Sequence, residues 1–197
     1  KDLGSLFVLH KALTHKNRDI RFAAAQSIAI LKSRSSMYAL STWLIKETEN
    51  DIQHKIVDTL VVLKGIGNPF GLTNVLKNSK DIALKLKAAF LMGIYRDARV
   101  VPHLIQALND KSYKVRSEIC HSLGIYPRID VIKALLNIIT QEKKRYVRSS
   151  ALYSIKKIRN TNVVLPLFKI YAREKDVVFK SMIEEVIMLF NKMRFRM

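Results

Sequence analysis

The sequence predicts an all-α fold, a right-handed α-solenoid of about six two-helix repeats. Three observations predict it. A twelve-residue pattern recurs six times at a nearly constant interval. The apolar residues inside each copy are spaced by three and four, which is helical rather than strand periodicity. A second amphipathic stretch precedes each copy.

The copies begin at Ile20 (IRFAAAQSIAIL), Ile52 (IQHKIVDTLVVL), Leu84 (LKLKAAFLMGIY), Val115 (VRSEICHSLGIY), Val147 (VRSSALYSIKKI) and Val178 (VFKSMIEEVIML). Each start follows the previous one after a step of about 32 residues, and a fixed period of this size marks an array whose units cannot each bury an apolar face alone. The preceding helices are expected over Leu3–Leu13, Met37–Ile45, Phe70–Leu76, Val100–Leu108, Val131–Ile139 and Val163–Tyr171. Short links such as Asn17-Arg18-Asp19, Glu49-Asn50-Asp51, Asn78-Ser79-Lys80-Asp81 and Asn109-Asp110-Lys111 supply oxygen acceptors for the unpaired N–H groups of the next helix. Pro102 and Pro166 sit in the same register near helix starts, where a missing N–H costs little. Two helices and two links fill the period, so a single array is expected, with repeats at 1–33, 34–65, 66–96, 97–127, 128–159 and 160–197.

The pattern VRxxAxxxLG resembles the second helix of HEAT repeats, in particular the short variety of phycobiliprotein-lyase-like proteins. Val115-Arg116 with Leu123-Gly124 is the nearest copy, followed by Ile20-Arg21 with Ala24-Ala25. Gln53 and Phe179 depart from the basic second position, and Lys156 stands where Gly124 stands. The resemblance implies that the second helices line a concave face. It also implies that the basic residue pairs with an Asp of the preceding turn, with Asp19, Asp51, Asp81 and Asp110 as partners. Repeat five is preceded by Lys143-Lys144-Arg145 and lacks such an Asp, so Arg148 is expected to stay unneutralised.

Rows of outward positions on the second helices are the expected working surface. At stacking distances of about 10 Å, six units would extend about 60 Å. The candidate groove residues are Phe22, His54, Lys85, Leu86, Phe90, Arg116, His121, Arg148 and Tyr153. Bare Phe22, Leu86 and Phe90 are costly on a monomer, so they either pack across to neighbouring repeats or anchor a partner.

With 35 Lys+Arg against 16 Asp+Glu the formal charge is +19, a field that attracts polyanions. The excess grows along the chain and gathers at Lys143, Lys144, Arg145, Lys156, Lys157 and Arg159, and again at Lys192, Arg194 and Arg196. It is read either as a solvated charged surface or as a phosphate-binding face.

Signatures of catalysis are missing: GxxxxGK[ST], GxGxxG, HExxH and GxSxG do not occur. The five histidines are scattered along the chain, and single Cys120 falls at a core position. HEAT-like hydroxylases use His-Glu pairs, which this chain lacks. HEAT-like DNA glycosylases use groove tryptophans, whereas Trp43 falls on an outer helix. Lyase activity would rest on fold analogy alone.

The expected function is therefore a non-catalytic scaffold holding an acidic protein or peptide in the groove, with sequence-nonspecific DNA or RNA binding through the basic C-terminal face as the alternative. No cofactor and no metal are expected. No run is apolar enough to span a membrane, and a cytoplasmic location is expected unless a targeting segment precedes Lys1.

Overall fold

A computed structural model describes residues 3–194, with side chains from 4 to 193. Phe195 and Arg196 of the basic tail, and the side chain of Arg194, lie outside the described residues. Among the described residues the fold is all α, with twelve α-helices, three 3-10 turns and no strand. The chain forms two compact units, divided between His103 and Leu104.

The first unit stacks three antiparallel pairs: α1 (Leu3–Ala12) with α2 (Arg18–Leu31), α3 (Met37–Trp43) with α4 (Asn50–Leu63), and α5 (Pro69–Asn78) with α6 (Ile82–Ile94). The second unit holds α8 (Tyr113–Leu123), α9 (Ile129–Gln141) with α10 (Arg145–Ile158), and α11 (Val164–Arg173) with α12 (Val177–Arg194), while α7 (Val101–Ala107) contains the division itself. Trp43 thus belongs to the second pair. Its indole is half-buried and donates to Glu47.

Helix starts follow local chemistry. Asn17 accepts from the N–H of Asp19, Asn68 from Phe70, Asp81 from Leu84 and Asp176 from Phe179. Several expected link residues, Arg18, Asp19, Asn50 and Asp51 among them, form first helical turns instead.

The fifth and ninth positions of the repeat make the core. Ala24, Ile56 and Ala88 with Ile28, Leu60 and Met92 are buried in the first unit, as are Ile119, Ala151 and Ile183 with Leu123, Ile155 and Ile187 in the second. Full burial of each larger side chain stabilises by about 1.5–3 kcal/mol. Glycine permits the tightest approaches: a Cβ at Gly71 would collide with the Ser41 carbonyl, and one at Gly124 would lie 2.8 Å from the Ser154 Cβ. At these two points α5 closes on α3 and α8 on α10.

The sixth copy needs a correction. Val178 is 58% exposed, whereas Phe179 is fully buried like Ile52, Leu84, Val115 and Val147. The capping carboxylate agrees, because Asp176 stands to Phe179 as Asp81 stands to Leu84. The last step, from Val147 to Phe179, therefore equals that from Val115 to Val147, and Lys180, not Phe179, holds the second position. Ile20, at 41%, is more exposed than its counterparts.

Candidate functional site

A second series of the repeat emerges only in three dimensions. His15, Glu47, Ser79, Asp110, Glu142 and Glu174 each accept, through a side-chain atom, the backbone N–H two residues on. These turns fix the entry into each second helix. Where the acceptor is a glutamate, it also meets the arginine of the preceding repeat.

Three such clamps form, each spanning 26 residues. In the first unit Arg21 Nε donates to Glu47 Oε2 at 2.8 Å and Nη2 to Oε1 at 3.1 Å. Nη1 donates to the carbonyls of His15 and Lys16, both at 3.1 Å. In the second unit Arg116 holds Glu142 at 2.7 and 3.0 Å and donates to the Asp110 and Lys111 carbonyls. Arg148 pairs with Glu174, donates to the Ile139 carbonyl at 2.8 Å, and lies 4.0 Å over the ring of Phe179. The glutamate side chains are 1%, 8% and 9% exposed, so each needs its partner.

The expected Arg–Asp ladder is thus overturned. At Arg21, Arg116 and Arg148 the basic second position turns inward, and its acid comes from the next repeat rather than from the preceding turn. Arg148 is neutralised like the others. Neither Arg116 nor Arg148 is available to steer a ligand. Asp81 instead receives His54 Nε2 at 2.9 Å, Asn50 Nδ2 at 2.8 Å and the Leu84 N–H. Those bonds hold its carboxyl far below the usual range.

The clamps predict an acid response. Burial by itself would raise the carboxyl of Glu47, but Arg21, the Glu49 N–H and Trp43 bring it below its ordinary value. Arg116 lowers Glu142. Glu174 resists burial through Arg148 and the Asp176 N–H. Folded values below unfolded ones mean that the unfolded chain binds more protons. This stability is present above about pH 4.5 and disappears as pH falls through the folded values. Thermal denaturation between neutral pH and about pH 3 should show it, and Glu142→Gln with Glu174→Gln should flatten the acid slope of the second unit.

The remaining groove candidates separate by unit. In the first, Phe22 is half-buried with Lys55 Nζ 5.7 Å above its ring, and Lys85 and Leu86 are half-buried. His54 is bonded to Asp81, and Asp58 to Lys87 at 2.7 Å. Phe90 alone of the apolar three stays open, at 49%.

In the second unit α8 and α10 set out two edge-to-face pairs of rings. Tyr113 and Tyr146 lie 6.2 Å apart, and His121 and Tyr153 lie 5.7 Å apart. Ser117 and Ser150 bond beneath them at 2.8 Å. Tyr146 is 63% exposed and Tyr153 58%. Seven residues apart on one helix, they stand about 10 Å from each other along its axis. Burial and the charge of Lys157 lower the His121 pKa. Lys143, Lys144 and Arg145 at one end of α10, and Lys156, Lys157 and Arg159 at the other, are all exposed. Arg145 meets Asp176 at 3.4 Å.

Tyr113 and Tyr146 are not among the sequence candidates. They fall one repeat plus one position apart, the same offset as Ser117 and Ser150, and that offset is the available signal. Cys120 is fully buried, and burial pushes its thiol up to about 12. It is packing.

Residues 71–156 match the family model of HEAT repeats. This stretch of the chain is built of HEAT repeats. The matched stretch runs from α5 to the last turn of α10. No curated protein matches the chain. Among the described residues no helix is long and apolar enough to cross a membrane, and no three His, Cys, Asp or Glu gather as metal ligands. Arg21, Arg116 and Arg148 serve the joints between successive repeats within each unit, and the exposed rings and lysines make up the outward chemistry.

Proposed function

We propose that this protein is a non-catalytic scaffold that holds an acidic protein segment against α8 and α10. HEAT repeats generally mediate protein interactions as scaffolds. The observation that carries the reading is the pair of open tyrosines set between two lysine clusters. Tyr146 and Tyr153 offer rigid apolar faces with a polar tip, the side-chain type that anchors interfaces. The lysines raise the local concentration and association rate of an acidic ligand. Glu47, Asp81, Glu142 and Glu174, whose carboxyls are lowered, belong to structural pairs with arginine or histidine, and burial alone raises Glu118.

A second reading rests on the same rings. Single-stranded nucleic acid stacks its bases on open aromatics flanked by basic residues. The two readings separate by titration. A labelled Glu- and Leu-rich peptide and labelled oligothymidylate are each followed by anisotropy over a salt series. The scaffold reading expects peptide binding that weakens about tenfold in a Tyr146→Ala, Tyr153→Ala variant. It expects a similar loss in Lys143→Glu, Lys144→Glu, Lys157→Glu. Oligothymidylate binding at physiological salt, falling steeply as salt rises, with no peptide binding, would transfer the site to nucleic acid.

A further inference from the structure

We propose that the first unit carries a second binding surface, the edge made by the C-terminal ends of α2, α4 and α6, and that its ligand is an acidic amphipathic helix of a partner protein. It stands apart from the reading of the second unit and shares no residue with it.

Two parallel rows build the edge. Lys32, Lys64 and Arg96 recur at equal steps of one repeat, as do Ile30, Val62 and Ile94 two places earlier. All three cations are exposed, and no ion pair among the described residues engages them. The aliphatic side chains are 72%, 49% and 38% exposed. Bonds between repeats hold the rows in register: Tyr95 donates to the Val61 carbonyl at 3.5 Å and Arg34 to that of Lys64 at 3.4 Å. The carboxylates near the edge are already engaged, Asp97 by Arg99 and Asp58 by Lys87.

The backbone at the cations carries the argument further. Lys32, Lys64 and Arg96 all adopt left-handed conformations, with φ of 48°, 55° and 51°. A helix leaving by this route ordinarily places glycine there, because a Cβ is strained. The negative end of a helix favours a cation anywhere in its last turn. Yet the last turns of α2, α4 and α6 contain no basic residue. Each time, the cation sits at the one position where a side chain is disfavoured. A ligand contact accounts for that choice.

Spacing selects the ligand. Stacked repeats place successive members of each row about 10 Å apart. Seven residues of α-helix advance about 10.5 Å. A helix lying along the edge with an apolar and an acidic residue in every heptad would meet Ile30, Val62 and Ile94 with one row and the cations with the other.

The test uses the full chain and a labelled three-heptad peptide with leucine and glutamate at fixed heptad positions, against a scrambled peptide of the same composition. The patterned peptide should bind about tenfold more tightly than the scrambled one. A Lys32→Gly, Lys64→Gly, Arg96→Gly variant should lose about tenfold while its melting temperature does not fall, since glycine relieves the left-handed strain. Lys64→Glu should weaken binding as well. In a Tyr146→Ala, Tyr153→Ala background, which removes the site proposed on the second unit, the preference for the patterned over the scrambled peptide should persist, which keeps a failure here distinct from a failure in the second unit. Equal affinity for the two peptides would overturn the proposal. So would unaltered binding by the glycine variant, or tighter binding to phosphatidylserine vesicles or oligothymidylate than to the patterned peptide.

Discussion

Arg21→Ala should destabilise the first unit by about 3–5 kcal/mol, the cost of breaking a buried pair by removing one partner. Glu47 would keep its position and lose its counter-charge. Its side chain is 1% exposed in the folded chain, and without the guanidinium its remaining partners are the Trp43 indole and the Thr48 and Glu49 N–H groups, none of them charged. The Trp43 indole donates to the same carboxylate at 2.9 Å, and Trp43 is the chain's single tryptophan. Its fluorescence therefore reports this clamp directly in a urea titration. Protonation of the orphaned Glu47 should shift into the accessible range, making the variant less sensitive to acid than the native protein. An Arg21→Met, Glu47→Gln double variant should recover much of the loss, because a neutral buried pair removes the uncompensated charge. A loss below about 1 kcal/mol for Arg21→Ala would mean that the pair behaves as a solvent-exposed one and that the clamp does not hold the joint.

Phe179→Ala should cost about 3–5 kcal/mol, and Val178→Ala no more than about 0.5 kcal/mol. Phe179 is fully buried and covered by the Arg148 guanidinium, whereas Val178 is 58% exposed. Truncating the ring leaves a cavity and removes the platform on which Arg148 rests, so the loss should appear in the melting of the second unit by circular dichroism. For a chain of this size about 1 kcal/mol corresponds to about 2–4 °C in melting temperature. The neighbouring pair of substitutions is a direct measurement of register. If the two costs were reversed, Val178 would be the sixth member of the buried row and the assignment of Lys180 to the second position would fall.

The Phe179 result shows where reading the chain alone stops. Val178 and Phe179 are both apolar, and both satisfy a helical spacing of three and four. Only burial and the Asp176 cap separate them. A shift of one residue then alters the account of the basic row, turning an apparent Phe exception into Lys180. The ladder fails for a related reason. Asp19, Asp51, Asp81 and Asp110 are close to the arginines in sequence, but Glu47, Glu142 and Glu174 are close in space, each 26 residues away. Separation along the chain is a poor guide to the partner of a long, flexible side chain that reaches across to the next repeat.

The exposed rings tell a similar story. Tyr153 and His121 follow from helical spacing, whereas Tyr113 and Tyr146 sit in first turns, ahead of the repeated pattern that begins at Val115 and Val147. The basic cluster at 143–145 and 156–159 is legible because charge runs need no geometry to be seen, and Lys143, Lys144, Arg145, Lys156, Lys157 and Arg159 are all exposed.

The sequence by itself determined the all-α class, the two-helix repeat, the core positions of the first five copies and the buried thiol of Cys120. Those features follow from a period of about 32 residues and from the local rule that apolar side chains three and four apart share a helix face. Tertiary structure alone decided which carboxylate neutralises which arginine, which residue opens the sixth repeat, and which rings and cations stand exposed. These depend on stacking one helix pair on another, which joins residues a whole repeat apart and takes several of the most conspicuous charges out of water.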